Sequence, residues 1–274
     1  MGHPVAHSRS PEIHAWFAKA TAQQLEYRKI DPGLEGFEAA VAAFRQQGGR
    51  GLNITLPFKE RALALANQAS LRAQLAGAAN TLIFAGDLVE ADNTDGAGLV
   101  ADLTANLGWS LTQARVLVSG AGGAVRGIVE PLLAAGVARL VIANRTPARA
   151  VALVDHLKQA GLPATLQPAL VACALNAIPD EPYSLMINAT SGGHEGELPQ
   201  LPAAVFRANP DVYDLSYGVA AKPFLDQAQA LGARRVSDGL GMLVEQAAES
   251  FWRWRGVRPP TQELLSLLRA QLKG

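Results

Sequence analysis

The stretch that most constrains this chain is Val-Leu-Val-Ser-Gly-Ala-Gly-Gly-Ala-Val-Arg-Gly, residues 116–127. Val116, Leu117 and Val118 read as a buried parallel strand. A glycine-rich turn follows, Gly120-Ala121-Gly122-Gly123-Ala124, and then an apolar helix over residues 125–135. The start of such a helix offers unpaired backbone N–H groups and a partial positive charge, a setting that holds phosphate. A side chain on those glycines would keep a pyrophosphate away from the backbone. The sixth position of the G-x-G-x-x-G pattern is Val125, so the match is partial. A tight turn in an ordinary α/β domain is the competing explanation.

The next strand bears on that choice. Residues 139–143 (Arg-Leu-Val-Ile-Ala) end in Asn144-Arg145-Thr146-Pro147-Ala148-Arg149. A site for NAD carries an acid about twenty residues past the glycines, to bind the ribose 2′-hydroxyl. Between residues 131 and 154 there is no Asp or Glu, and Arg145 and Arg149 stand there instead. An acid repels a 2′-phosphate, whereas an arginine pairs with it. The expected cofactor is therefore NADP(H); the alternative leaves both arginines as solvated helix-start residues.

From about residue 115 to 237, strand and helix alternate at a spacing of about 25 residues, the pattern of a doubly wound nucleotide domain. Residues 185–188 lead into Ala189-Thr190-Ser191-Gly192-Gly193, and residues 212–215 into Ser216-Tyr217-Gly218. Ligands in such folds bind at the carboxyl ends of the strands, so these loops are expected to line the cofactor crevice.

Bulk properties narrow the partners. The 274 residues suffice for two ordinary domains, and 49% are apolar, enough for full cores. Lys plus Arg number 24 and Asp plus Glu number 24, so no net charge favours nucleic acid or an anionic membrane. Cys173 is the only cysteine and cannot form an internal disulfide, which suits a reducing cytoplasm. The start Met1-Gly2-His3-Pro4 lacks the basic and apolar run of a signal peptide. The five histidines show no metal-ligand spacing, so no metal is expected.

In the N-terminal part, Ser10-Pro11 reads as a helix start, with Ser10 as cap. Ser8 and Ser10 at that helix end would suit a carboxylate ligand, although simple capping by Ser10 explains the pattern by itself. Residues 25–30 alternate as a strand. Pro57 starts a helix with Lys59 in its first turn, where the dipole disfavours a cation. A locally costly choice is sometimes a functional one; a solvated surface lysine is the plain alternative. Asp92-Asn93-Thr94-Asp95-Gly96 reads as a polar turn into a helix, and Asp95 alone says nothing of catalysis.

Taken together, the sequence resembles the shikimate dehydrogenase family along its whole length. The resemblance is carried by Gly2-x-Pro4-x-x-His7-Ser8-x-Ser10-Pro11, Asn53-x-Thr55-x-Pro57-x-Lys59, Gly77-Ala78-x-Asn80-Thr81 and Asn93-Thr94-Asp95-Gly96. The glycine turn, Asn144-Arg145-Thr146, Asn188-Ala189-Thr190, Tyr213-Asp214-x-x-Tyr217 and Asp238-Gly239-x-Gly241-Met242-Leu243-x-x-Gln246-Ala247 complete it. The resemblance implies an α/β protein of two domains. Residues 1–95 plus 237–274 would form a substrate domain completed by C-terminal helices. Residues 96–236 would form a Rossmann-type NADP domain.

The implied reaction is reversible reduction of 3-dehydroshikimate to shikimate with NADPH, in chorismate and aromatic amino-acid synthesis. By the same resemblance, Lys59 and Asp95 handle the proton. Ser8, Ser10 and Tyr217 hold the substrate carboxylate, and Thr55, Asn80 and Gln246 the ring hydroxyls. Cofactor contacts fall on Gly120, Ala121, Gly122, Gly123, Ala124, Asn144, Arg145, Thr146, Arg149, Thr190, Leu215 and Gly239. The partner is a small molecule, and the chain a cytoplasmic monomer or homodimer. The family has a strand before the first motif, where Met1 abuts it here; Ala15 and His3 stand where Asn is common. A relative accepting quinate or NAD is the alternative. A non-catalytic NADPH-binding regulator is a weaker one, having no need for Lys59 and Asp95 together.

Overall fold

The computed structural model describes residues 1–190, 198–199 and 201–272. The chain divides into two compact units, Met1–Gly98 with Leu243–Gly274, and Leu99–Met242.

The first unit opens with α1 (Ser10–Ala20) and α2 (Phe37–Gln46). Then follow β1 (Gly51–Asn53), α3 (Lys59–Leu65), β2 (Gln68–Ala69), α4 (Leu71–Ala76) and the hairpin β3 (Thr81–Ala85) and β4 (Leu88–Asp92). The hairpin turn is Gly86-Asp87, with Gly86 at a positive φ of 59° that suits glycine. The four strands lie in the order β1-β3-β4-β2, with β1 and β4 antiparallel to β3 and β2 parallel to β4. Phe37, Val41, Leu52, Phe58, Leu82 and Val89 form the core against this sheet.

Two local expectations are corrected here. Residues 25–30 are not a sheet strand. Their one backbone bond to the chain start is Gly2 N–H to the Ile30 carbonyl at 3.3 Å, while Met1 bonds to Asn53 at the end of β1 and to Thr55 beyond it, and His3 to Leu56. An alternating pattern without a neighbour to ladder with stays irregular. At α1 the cap position is Arg9, and the Ser10 side chain does not cap. Instead the Ser8 hydroxyl accepts from Ser10 N–H at 3.3 Å.

α5 (Asp95–Ala101) leads into the second unit and continues as a π-helical turn, Asp102–Asn106. The second unit is β5 (Arg115–Ser119), α6 (Gly123–Ala134), β6 (Arg139–Asn144), α7 (Pro147–Gln159), β7 (Leu170–Ala174) and β8 (Leu185–Asn188). β9 (Asp211–Asp214), α8 (Lys222–Ala230) and β10 (Arg235–Asp238) complete it. The six parallel strands run in the order β10-β9-β8-β5-β6-β7, which is the Rossmann order. Val116, Leu117 and Val118 are buried, as are Leu140, Val141 and Ile142, because helices cover both faces of a parallel sheet. α9 (Leu240–Arg255) brings the chain back to the first unit, where α10 (Gln262–Gln271) follows. Among the described residues no helix is long and apolar enough to cross a membrane.

The first unit carries a pH-sensitive core residue. His14 on α1 is fully buried and stacks on Tyr27 at 4.4 Å between ring centroids, beside Phe17, Phe251 and Trp254. Its Nε2 faces Asn53 Oδ1 at 3.1 Å, and its Nδ1 has no hydrogen-bond partner among the described residues. Burial pushes its pKa down from 6.5 to about 3, against the pull of the Asn53 bond. Below pH 6.5 the unfolded chain therefore takes up a proton that the folded chain refuses. Stability present above 6.5 is lost progressively toward pH 3. From pH 7 to 5 the loss is expected to be about 2 kcal/mol, read by urea unfolding. His14→Phe should flatten that slope; an identical slope in the variant would assign the acid lability elsewhere.

Candidate active site

Lys59 begins α3. Phe58 before it is fully buried and stacks on Phe37 at 4.7 Å, and the Lys59 carbonyl accepts from Ala79 N–H at 2.8 Å. The backbone is thus fixed on both sides of the lysine. Asp95 begins α5, where a carboxylate is favourable to the helix dipole. Lys59 Nζ lies 2.5 Å from Asp95 Oδ2, with side-chain exposures of 15% and 9%. The cation that the dipole of α3 disfavours has its counter-charge, and both groups keep a narrow opening to a ligand.

Asn80 fixes the other carboxylate oxygen. Its Oδ1 accepts from the Thr94 backbone N–H at 2.9 Å, which can only donate, so the amide cannot be flipped. Its Nδ2 therefore donates to Asp95 Oδ1 at 2.8 Å and to Thr94 Oγ1 at 2.8 Å, and reaches Gln246 Oε1 at 3.3 Å. Gln246, on α9, donates from Nε2 to the Leu243 carbonyl at 2.8 Å. Lys59, Asp95, Asn80 and Gln246 are therefore one connected group.

Ser8 and Ser10 form a second group, with hydroxyls 3.1 Å apart. Burial pushes the Tyr27 phenol above its usual range, outweighing a hydrogen bond from Ser10. Tyr27 donates to Asn53 Oδ1 at 2.8 Å. Asn53 Nδ2 donates to Ser250 at 2.9 Å, and Ser250 meets Thr81 at 2.8 Å and Thr94 at 3.2 Å. A buried chain of polar groups thus runs from the serine pair to Asn80 and Asp95. Asn53, Thr81 and Thr94 stand in the sequence motifs but received no role there. Ser250 was missed, although its place one turn after Gln246 on an amphipathic helix was an available signal. Thr55 is exposed beyond β1 and is not hydrogen-bonded through its side chain to this group among the described residues.

In the second unit the glycine turn is resolved residue by residue. Gly120 has φ +115°, and a Cβ there would lie 2.8 Å from the Ala189 carbonyl oxygen. The chain's own packing demands glycine at that position. At Gly122 and Gly123 a Cβ would meet nothing within 4 Å among the described residues and φ is ordinary, so neither that packing nor backbone conformation requires glycine. Gly122 is the cap residue of α6, without a side-chain cap. Ala121 and Ala124 flank these open positions. A phosphate-sized group lying on the backbone fits this cradle.

Asn144 ends β6 and donates to the Thr146 carbonyl at 2.9 Å, folding a turn that leaves Arg145 and Arg149 exposed at the start of α7. Those arginines fit a 2′-phosphate. The strand ends are braced: Ser119 donates to Asn188 Oδ1 at 3.0 Å and Asn188 donates to Asp214 at 2.9 Å. Thr190 Oγ1 donates to the same Asn188 oxygen at 2.8 Å. Gly239 is required by close approach, since a Cβ would lie 2.3 Å from the Leu215 carbonyl oxygen. Tyr217 precedes the short helical turn Gly218–Ala220 in this unit. Ser191, Gly192 and Gly193 lie outside the described residues. Among the described residues no group of three or more His, Cys, Asp or Glu stands ready to hold a metal ion.

Comparison with known proteins adds to this geometry. Residues 1–82 match the shikimate dehydrogenase substrate binding domain, 102–176 the shikimate / quinate 5-dehydrogenase model, and 239–269 the shikimate 5'-dehydrogenase C-terminal domain. The chain is 48% identical over 272 residues to a shikimate dehydrogenase (NADP(+)) of Nitrosospira multiformis, covering 99% of this chain and 96% of that one. Among solved structures it is similar to an Ael1 enzyme from Pseudomonas putida, with a TM-score of 0.90, 47% identity, and coverage of 97% and 96%. It is also similar to shikimate 5-dehydrogenase from Thermus thermophilus in complex with NADP(H) and shikimate, with a TM-score of 0.83, 34% identity, and coverage of 98% and 97%. Motifs, paired charged groups, glycine cradle and full-length identity agree, and the chain belongs to the shikimate dehydrogenase family.

Proposed function

We propose that this chain catalyses the reversible, NADP-dependent reduction of 3-dehydroshikimate to shikimate, a step toward chorismate and the aromatic amino acids. The observation that carries the reading is the Lys59–Asp95 contact at 2.5 Å, held in orientation by Asn80. When bound, NADP(H) supplies or takes the hydride. The chain itself must then move the proton of the substrate's C3 oxygen. Lys59 and Asp95 accept it as shikimate is oxidised and return it as 3-dehydroshikimate is reduced, the donor and acceptor being one ion pair. Ser8 and Ser10 hold the substrate carboxylate at the start of α1, with Tyr217 assigned a share. Thr55, Asn80 and Gln246 hold the ring hydroxyls.

The residues 1–95 plus 237–274 supply the substrate part, and residues 96–236 the NADP part. There the backbone of residues 120–124 takes the pyrophosphate, with Asn144, Thr146, Thr190, Leu215 and Gly239 around the cofactor, and Arg145 and Arg149 take the 2′-phosphate. The reading places the protein in the cytoplasm, acting on a small molecule rather than on nucleic acid or membrane.

The test is NADPH formation, followed by absorbance, with shikimate or quinate and with NADP or NAD. Turnover with shikimate and NADP alone supports the whole reading. Comparable turnover with quinate or NAD broadens it, and no turnover from protein that binds NADPH refutes it. A second measurement isolates the cofactor choice. Arg145→Ala should weaken NADP binding by about 1.5–3 kcal/mol, the worth of a hydrogen bond to a charged group, and leave NAD binding unchanged. Equal losses for both would remove Arg145 from the 2′-phosphate.

A further inference from the structure

The Asn93-Thr94-Asp95 segment is held from behind by a residue that the reaction does not touch. Arg72 on α4 spans the carboxylate of Asp92, the last residue of β4, with Nε 2.6 Å from Oδ1 and Nη2 2.6 Å from Oδ2. Asp92 is 1% exposed. Burial works against its charge, but Arg72, the Ser70 hydroxyl and the Asn93 N–H outweigh that and hold the carboxyl below its usual range. Asp92 Oδ1 accepts from Asn93 N–H at 2.8 Å, and Asn93 Oδ1 accepts from Asp95 N–H at 3.2 Å. Asn93 Nδ2 donates to the Ala78 carbonyl at 2.9 Å, and Asn80 N–H donates to the Asp92 carbonyl at 3.1 Å. The third guanidinium nitrogen, Nη1, donates to Glu249 at 3.0 Å, one turn past Gln246 on α9. One planar cation thus fixes the strand end from which Asp95 and Asn80 take their backbone positions, and the helix that carries Gln246.

We propose that Arg72 is a positioning residue for the Lys59–Asp95 pair, acting through Asp92 and Asn93. The inference rests on the reading of that pair as the proton-handling group. Both oxygens of Asp92 must be gripped in one plane, because Oδ1 also directs the Asn93 N–H. A bidentate guanidinium does this, and a lysine cannot. Arg253 also pairs with Asp92, at 3.0 Å from Nε, but its Nη2 is engaged by Glu90, so it does not replace the fork. Arg258 supplies the control. It bonds Glu249 at 2.6 Å in the same charged network and does not pair with Asp92.

The test compares Arg72→Met and Arg258→Met with the wild type in kcat, in KM for shikimate, and in hydrogen exchange at the Asn93 and Asp95 amides. For Arg72→Met, kcat should fall on the order of 10- to 100-fold, as expected of a misplaced reacting group, with KM within about threefold. The Asn93 and Asp95 amides should exchange about tenfold faster relative to the Gly120 amide of the second unit. Arg258→Met should leave kcat within about twofold and both amides unchanged. Unchanged relative exchange at Asn93 and Asp95 in Arg72→Met overturns the proposal, whatever kcat does. Absence of turnover in the wild type would count against the proposed function alone, since exchange still decides the positioning role. If Arg72→Met does not fold, Arg72→Lys takes its place: faster relative exchange at the two amides with a lowered kcat supports the proposal, and unchanged exchange overturns it.

Discussion

Lys59→Met is expected to lower kcat by about 10²- to 10⁴-fold, the range for loss of a positioned acid–base group. The fold should survive. Lys59 lies in the first turn of a helix that its charge does not favour, and its backbone is held by Phe58 and Ala79 independently of its side chain. The cost falls on Asp95, whose carboxylate is 9% exposed and keeps the Asn80 donor at 2.8 Å but loses its counter-charge. Asp95→Asn should produce a loss of similar order. If the two residues move one proton as a unit, the double variant should be no worse than the worse single one. Losses that multiply would mean two separate tasks. The regulator alternative makes the opposite prediction for Lys59→Met, which would leave NADPH binding intact and have no turnover to lose. Circular dichroism and NADPH binding on the same samples separate a lost reaction from a lost fold.

The legible parts of this chain share a physical cause. Residues 115–144 were readable because a buried parallel strand, a glycine turn and an apolar helix each leave a local mark, and the sheet order follows from handed connections. Lys59 was readable as an anomaly, a cation at the wrong end of a helix, though only the motif resemblance and then Asp95 at 2.5 Å explained it. Residues 25–30 misled because alternation reports a possible strand face and says nothing of whether a partner lies alongside. The partners of Ser250 and Arg72 were hidden for a different reason, even where, as at Ser250, the helix position itself was a signal. Their contacts span 156 and 177 positions, from Ser250 to Thr94 and from Arg72 to Glu249, and no local period encodes such pairs. The glycines divide similarly. Sequence treats Gly120, Gly122 and Gly123 alike, and only the surrounding space separates the one that packing requires from the two it leaves open.

That separation makes the second large effect. Gly122→Val should cut NADPH affinity on the order of 100-fold, with each tenfold equivalent to about 1.4 kcal/mol. Its backbone, at φ −88° and ψ −173°, is one that valine adopts without strain, and among the described residues the new Cβ meets no atom within 4 Å beyond its chain neighbours. Valine is a poorer cap than glycine, so a stability loss of about 1 kcal/mol is expected, or a few degrees in melting temperature. The side chain would occupy the space in which a pyrophosphate must approach the first N–H groups of α6. Gly122→Ser sharpens the sign. A serine oxygen at the cap accepts from those same N–H groups, so the helix holds or gains stability while the cofactor loses its donors. Gly120→Val should do the reverse of Gly122→Val, failing mainly in folding, because φ +115° and the Ala189 carbonyl leave no room for a side chain. NADPH titration and thermal melts on the three variants decide the matter. If Gly122→Val binds NADPH as tightly as the wild type, the open glycines are not the phosphate seat, and the cofactor assignment of the turn falls with them.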